Sequence, residues 1–173
     1  MPRIIDLFAG LGGIRLGFKQ AMDDLGLETE CVFSSEIKPY AIKSYYGYYG
    51  DEHIFGDITQ ADANHDIPDF DFLLAGFPCQ PFSSAGNRNG FRDTRGTLFF
   101  EIERILKRKI DIGRPAKGFL LENVEGLMNH DNGETLKTII LHLENLGYKV
   151  NYKLLDSKDF GLPQSRKRVY IVG

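Results

Sequence analysis

The segment 76–83, GFPCQPFS, sets a cysteine between two prolines, with Gly76 before it and Ser83 after it. Pro78 and Pro81 flank the Cys79–Gln80 pair, so the backbone is stiff there and the thiol has a set direction. A thiol held in this way fits a nucleophile, because cysteine attacks as a thiolate from a defined position. Most free cysteines are instead small buried hydrophobes. Against that reading, the residues from Cys79 to Arg95 are polar and rich in glycine and arginine. The chain's four histidines (His53, His65, His130 and His142) lie in unrelated contexts, which speaks against a Cys–His hydrolase. Cys31 and Cys79 are the two cysteines, and no CxxC or Cys/His spacing is present. Neither a disulfide framework nor a zinc site is expected, and no metal is assigned.

A second reactive group closes the apolar run KGFLLENV, 117–124. Glu122 there falls at the edge of the core, where a carboxyl group can carry and hand over a proton. Its plainer alternative is a capping or salt-bridged acid. In QSRKRVYIVG, 164–173, Arg166 and Arg168 stand one strand period apart and share a side as the chain enters its last strand. A thiol, a proton-carrying acid and two guanidiniums converging on one cleft suit a planar, electron-poor heterocycle on a nucleic-acid backbone.

A third set of residues has the marks of a cofactor site. The apolar run 3–8 ends in FAGLGG, where Gly10, Gly12 and Gly13 let the backbone turn tightly and approach a ligand. The spacing is not GxGxxG, which weakens a nicotinamide reading. The next apolar run ends at Glu36, where a carboxylate can accept ribose hydroxyls. GDIT, 56–59, places Asp57 near the end of a short strand, in reach of an adenine amino group. Three such features at successive strand ends predict a nucleoside-bearing cofactor.

The elements that must carry these residues follow from periodicity. Strands are predicted at 3–8, 28–36, 70–76, 117–124, 148–156 and 167–173, with a short one before Asp57. Helices are predicted after GLGG as far as Gly26, from Pro39 to Tyr46 with a break at Gly47, at 96–111, and at 132–148. Ile14, Leu16, Phe18 and Met22 form the apolar positions of the first helix. Leu98, Phe99, Ile102, Ile105 and Leu106 form one stripe, and Leu136, Ile139, Ile140 and Leu143 another. Strands alternating with helices predict an α/β fold, a doubly wound, mostly parallel sheet with helices on both faces. With 42% hydrophobic and 26% charged residues, 173 residues suit one globular domain. No run approaches the roughly 20 apolar residues of a membrane span. The net charge of −3 argues against nucleic acid unless positive charge is clustered locally.

In this order the motifs resemble the catalytic domain of DNA (cytosine-5)-methyltransferases, above all the bacterial restriction-modification type. They are DLFAGLGGIRLGF (6–18), Glu36, GDIT, GFPCQPFS, RGTLFFEI (95–102), LENV (121–124) and QSRKRVYIVG. The resemblance implies a Rossmann-like fold, S-adenosylmethionine as cofactor with S-adenosylhomocysteine as product, and a DNA cytosine turned out of the duplex. It implies that the Cys79 thiolate adds to cytosine C6 and that Glu122 shares or donates a proton at N3. Arg168 would hold the cytosine O2 and orient Glu122, and Arg166 would meet the flanking phosphate. Phe8, Ala9, Gly10, Leu11, Gly12 and Gly13 match the methionine-binding turn, and Glu36 matches the ribose ligand. Ile37 stands where the family often has a larger side chain against adenine. Asp57 and Ile58 match the adenine contacts, with Pro78 and Leu98 lining the pocket. The 80–97 segment is similar to the family's loop that closes over DNA. Its Arg88, Arg92 and Arg95 would supply local positive charge, and Gln80 and Ser83 would also contact the DNA.

In the family, a target-recognition domain follows the QSRKRVYIVG strand, and then a helix that returns to complete the cofactor domain. Residues 1–173 match the catalytic, cofactor-binding domain without these parts. Two arrangements stay open, a truncated chain and a split enzyme whose second polypeptide supplies recognition. In either, negligible sequence-specific methylation is expected of the chain alone. The expected setting is the cytoplasm of a bacterium, with double-stranded DNA as partner and no membrane. A cytosine-5 methyltransferase of transfer RNA and a non-catalytic cofactor- or DNA-binding relative are the alternatives.

Overall fold

The computed structural model describes residues 1–50, 54–78 and 98–173. Among these residues, seven strands make one sheet in the order β3-β2-β1-β4-β5-β7-β6. They are β1 (Arg3–Leu7), β2 (Glu30–Ser35), β3 (Ile54–Phe55), β4 (Phe72–Gly76), β5 (Gly118–Val124), β6 (Asn151–Asp156) and β7 (Lys167–Val172). The helices are α1 (Gly13–Asp24), α2 (Pro39–Tyr49), α3 (Leu98–Asp111) and α4 (Glu134–Asn145). β1 to β5 run parallel. The chain builds outward from β1 to β3 on one side, then returns to add β4 and β5 on the other. That reversal opens a crevice beyond the carboxyl ends of β1 and β4, where such sheets bind ligands. Among the described residues, no helix is long and apolar enough to cross a membrane.

β4 reads as an unbroken apolar run because both faces are covered, while β1 buries Asp6 among its apolar residues. On one face Ile5, Leu7, Leu73, Ala75, Phe119, Leu121, Val169 and Ile171 join Phe99, Ile102, Ile105 and Leu106 of α3 and Leu136, Ile139 and Leu143 of α4 in one core. On the other face α1 packs Phe18 against Phe72 of β4, with ring centroids 5.3 Å apart. Here the outcome departs from the apolar pattern of α1. Ile14, Leu16, Phe18 and Met22 are half-buried, and the one buried residue of the helix is Arg15.

One expectation needs correction. The helix expected to break at Gly47 runs on to Tyr49 and ends at Gly50, which has φ +87°. Nothing lies within 4 Å of where a Gly47 Cβ would be, so that glycine is an open helical position and not a stop. Burial of Ala41 and Tyr45 in the same helix outweighs its cost of about 1 kcal/mol. The sheet is mostly parallel, as expected, and β7 is the strand that departs from the parallel set. It is antiparallel to both β5 and β6. The link 157–166 holds only a short 3₁₀ turn, Ser157–Phe160, and a parallel neighbour would need a full crossover. The antiparallel course brings the start of β7, not its end, to the carboxyl edge of the sheet.

Candidate active-site cleft

A cleft of about 850 Å³ opens at that edge. Its size falls in the usual range for small-molecule and cofactor sites. Its cofactor side begins where β1 ends. Phe8 takes φ +54°, a left-handed conformation unusual for a bulky residue and frequent at functional turns. Ala9 N–H donates to Ser35 O of β2 at 3.0 Å, and Gly12 N–H donates back to Ala9 O at 2.8 Å. Gly12, at φ +79°, then caps α1 without any side-chain cap.

Glu36 ties this turn to the next strand. Its Oε2 accepts from Gly10 N–H at 2.8 Å, and its Oε1 accepts from Ile37 N–H and Lys38 N–H at 2.9 Å each. The residue is 8% exposed. Three of roughly four acceptor sites on the carboxylate are thus used by backbone, leaving room for a further donor. Asp57 uses Oδ1 to cap the Ile58–Gln60 turn through Thr59 N–H at 3.0 Å and Thr59 Oγ1 at 2.8 Å. Phe8, Gly10, Leu11, Glu36, Ile37, Asp57, Ile58, Pro78 and Leu98 all line the cleft. Ala9, Gly12 and Gly13 belong to the turn without lining it.

Glu122, Arg166 and Arg168 line the same cleft. Val124 of β5 pairs with Arg168 of β7, and Glu122 pairs with Tyr170. Glu122 and Arg168 therefore share one face of the sheet. Arg168 Nε lies 2.9 Å from Glu122 Oε1, with side-chain exposures of 19% and 21%. A second Arg168 nitrogen donates to Lys167 O at 2.7 Å and fixes the guanidinium plane. Burial, helped by Glu122, pushes the Tyr170 phenol above its ordinary value. Arg166 is exposed, but its backbone is anchored: its N–H donates to Asp156 Oδ1 at 2.9 Å, while Ser165 Oγ donates to Asp156 Oδ2 at 2.7 Å. The Ser165 bond is the main reason the Asp156 carboxyl is held below its ordinary range. This clasp closes the 157–166 link and sets where β7 begins.

Cys79, Gln80, Ser83, Arg88, Arg92 and Arg95 lie outside the described residues. The structure adds cleft residues that the sequence did not single out, among them Tyr40 and Asn123. Asn123 is 1% exposed. Its Nδ2 donates to Phe77 O at 2.9 Å and its Oδ1 accepts from Val124 N–H at 2.8 Å. It thus links the end of β5 to the backbone just before Pro78. A polar amide inside an apolar strand was the available signal, since such a group must find partners. Asn123→Ala leaves both backbone groups unpaired and is expected to cost about 2 kcal/mol, read as a lower urea midpoint at unchanged slope.

Comparison with known proteins identifies the family. Residues 2–173 match the family model described as C-5 cytosine-specific DNA methylase. The Type II methyltransferase M.NlaX of Neisseria lactamica is 57% identical over 173 residues, covering 100% of this chain and 52% of the relative. The Type II methyltransferase M.HgiCI of Herpetosiphon aurantiacus is 61% identical over 173 residues, again 100% of this chain but 39% of the relative. The chain therefore spans about half or less of the curated relatives it matches. Among solved structures, the S. pombe Dnmt2 methyltransferase superimposes with a TM-score of 0.75 at 26% identity, over 99% of this chain and 50% of that one. The Entamoeba histolytica methyltransferase EhMeth shares the fold, with a TM-score of 0.78 at 20% identity over 99% of this chain and 52% of that one. The family match takes in every strand and helix described above, and the chain belongs to the C-5 cytosine-specific DNA methylases.

Proposed function

We propose that this chain is the cofactor-binding and catalytic part of an enzyme that methylates C5 of cytosine in DNA. The observation that carries the proposal is a single cleft holding two chemistries. The glycine turn and Glu36 stand on one side and the Glu122–Arg168 pair on the other, with Pro78, the residue before Cys79 in sequence, on the lining. The cofactor side fits S-adenosylmethionine by its donor set. Glu36 keeps acceptor capacity for a ribose hydroxyl, Asp57 keeps Oδ2 for an adenine amino group, and Ile37, Ile58 and Leu98 offer apolar contact to the base. S-adenosylmethionine, when bound, supplies an electrophilic methyl group on a sulfonium.

The chain's own residues do the rest. Cytosine C5 is a poor nucleophile. The Cys79 thiolate forms a bond to C6, and Glu122 provides a proton at N3 that takes up the displaced electron density. C5 then becomes enamine-like and accepts the methyl group. Arg168 holds the cytosine O2 and keeps Glu122 aimed, as its 2.9 Å contact with that carboxylate supports. A base removes the C5 proton, the C5–C6 double bond re-forms, the Cys79 sulfur departs with its electron pair, and the N3 proton returns to Glu122. Arg166, exposed at the lip, meets a phosphate beside the target. Arg88, Arg92, Arg95, Gln80 and Ser83 complete the DNA contacts. The partners in this reading are double-stranded DNA and a recognition region, on the same or a second polypeptide, and the setting is the bacterial cytoplasm.

DNA bearing 5-fluorocytosine tests the proposal, because fluorine at C5 blocks the final elimination and preserves the cysteine adduct. With S-adenosylmethionine and a recognition region supplied, the protein is expected to form a covalent complex with the DNA, and Cys79→Ser to form none. The same adduct with Cys79→Ala would overturn the mechanism. Preferential trapping on transfer RNA of the same chemistry would overturn the substrate.

A further inference from the structure

The glycine turn is braced from outside by helix α2. Tyr45 and Tyr49 lie one helical turn apart, with ring centroids 4.6 Å apart. The Tyr45 hydroxyl donates to Asp6 Oδ2 of β1 at 3.1 Å and accepts from an Arg15 nitrogen at 2.8 Å. The Arg15 guanidinium carbon in turn sits 3.9 Å from the centroid of the Tyr49 ring. The Tyr49 hydroxyl donates to the carbonyl of Gly12 at 2.7 Å. That same carbonyl accepts from Leu16 N–H at 2.9 Å, the first bond of α1. A Cβ at position 12 would overlap the Tyr49 ring. Gly12 has no side chain with which to cap its own helix, and Tyr49 supplies a bond to it from a different element. Burial pushes the Tyr49 phenol up to about 12, so it remains a donor throughout the working range.

We propose that Tyr49 is a positioning residue for the cofactor, holding the Gly10–Gly13 turn in its ligand-ready shape through the Gly12 carbonyl. The inference rests on the reading of this cleft as an S-adenosylmethionine site, and it deepens that reading. Tyr49 itself does not line the cleft, so its effect passes through the turn. Because the turn grips the amino-acid end of the cofactor in that reading, the effect is specific to ligands that carry that end.

The test uses the full chain and Tyr49→Phe, which keeps the ring and its contact with Arg15 and removes only the hydroxyl. Without ligand, amides of residues 9–14 are expected to exchange about fivefold faster in the variant, the equivalent of one lost hydrogen bond. By calorimetry, affinity for S-adenosylhomocysteine falls by about the same factor. Adenosine, followed by NMR titration, binds both proteins equally. Tyr48→Phe, at an exposed neighbour, matches wild type in all three measurements. Unchanged exchange and affinity in Tyr49→Phe would overturn the inference and leave the cofactor reading intact. Equal losses for S-adenosylhomocysteine and adenosine would also overturn it, since they report a general loss of structure. Failure of the wild-type chain to bind S-adenosylhomocysteine would overturn the cofactor reading and the inference with it.

Discussion

Glu36→Ala is expected to remove about 3 kcal/mol of stability, because the backbone N–H groups of Gly10, Ile37 and Lys38 lose a charged acceptor in a buried place. The same change should weaken S-adenosylmethionine about a hundredfold, the value of a lost charge-assisted bond together with a loosened turn. Glu36→Gln separates the two effects. Its amide nitrogen must face either Gly10 N–H or the Ile37 and Lys38 pair, so at least one donor meets a donor. Stability should then fall by roughly half as much as in the alanine variant. Urea unfolding and calorimetry on the same preparations give both numbers. Cofactor affinity unchanged in Glu36→Ala would remove Glu36 from the site and leave it a purely structural acid.

Arg168→Ala is expected to slow methyl transfer by about 10² to 10³-fold, the usual loss when one preorganised donor at a reacting centre is removed. In the proposed mechanism Glu122 then loses the contact that aims it, and the cytosine O2 loses its partner. Arg168→Lys restores charge but not the planar fork that reaches Glu122 Oε1 and the Lys167 carbonyl together, so recovery should be partial. Single-turnover methyl transfer at saturating cofactor, with the recognition region supplied, is the measurement, with S-adenosylhomocysteine affinity measured beside it. That affinity should stay at the wild-type value, because Arg168 lies on the far side of the cleft from the glycine turn in this reading. A rate within threefold of wild type would take Arg168 out of the chemistry.

Much of this arrangement is legible in the amino-acid sequence, for identifiable reasons. Glycines and acids mark the strand ends, and an α/β sheet gathers strand ends at one edge. That is why Gly10, Glu36, Asp57 and Glu122 line one cleft although they span more than a hundred residues of sequence. The arginine pair reaches the cleft because β7 starts at the carboxyl edge of the sheet. Only the short 157–166 link, which forbids a crossover, carries the information that β7 turns back. Arg15 is hidden among Ile14, Leu16 and Phe18 because its partner Tyr45 is remote in sequence. The role of Tyr49 is equally invisible: a tyrosine-rich helix states an apolar face, not which hydroxyl meets which carbonyl.

The antiparallel placement of β7 also makes the site self-checking. Along this strand the residues alternate between two destinations, with Arg168 and Tyr170 on the cleft side and Val169 and Ile171 in the α3–α4 core. A slip of one residue against β5 would carry Arg168 into that core and push both aliphatic side chains out toward water. Such a molecule would lose its hydrophobic packing at the same moment as its Glu122–Arg168 contact. Correct alignment of the Glu122–Arg168 pair is therefore enforced by the burial of Val169 and Ile171, which face away from the cleft. Errors in register would be discarded as unstable chains before a folded molecule could carry a misplaced pair.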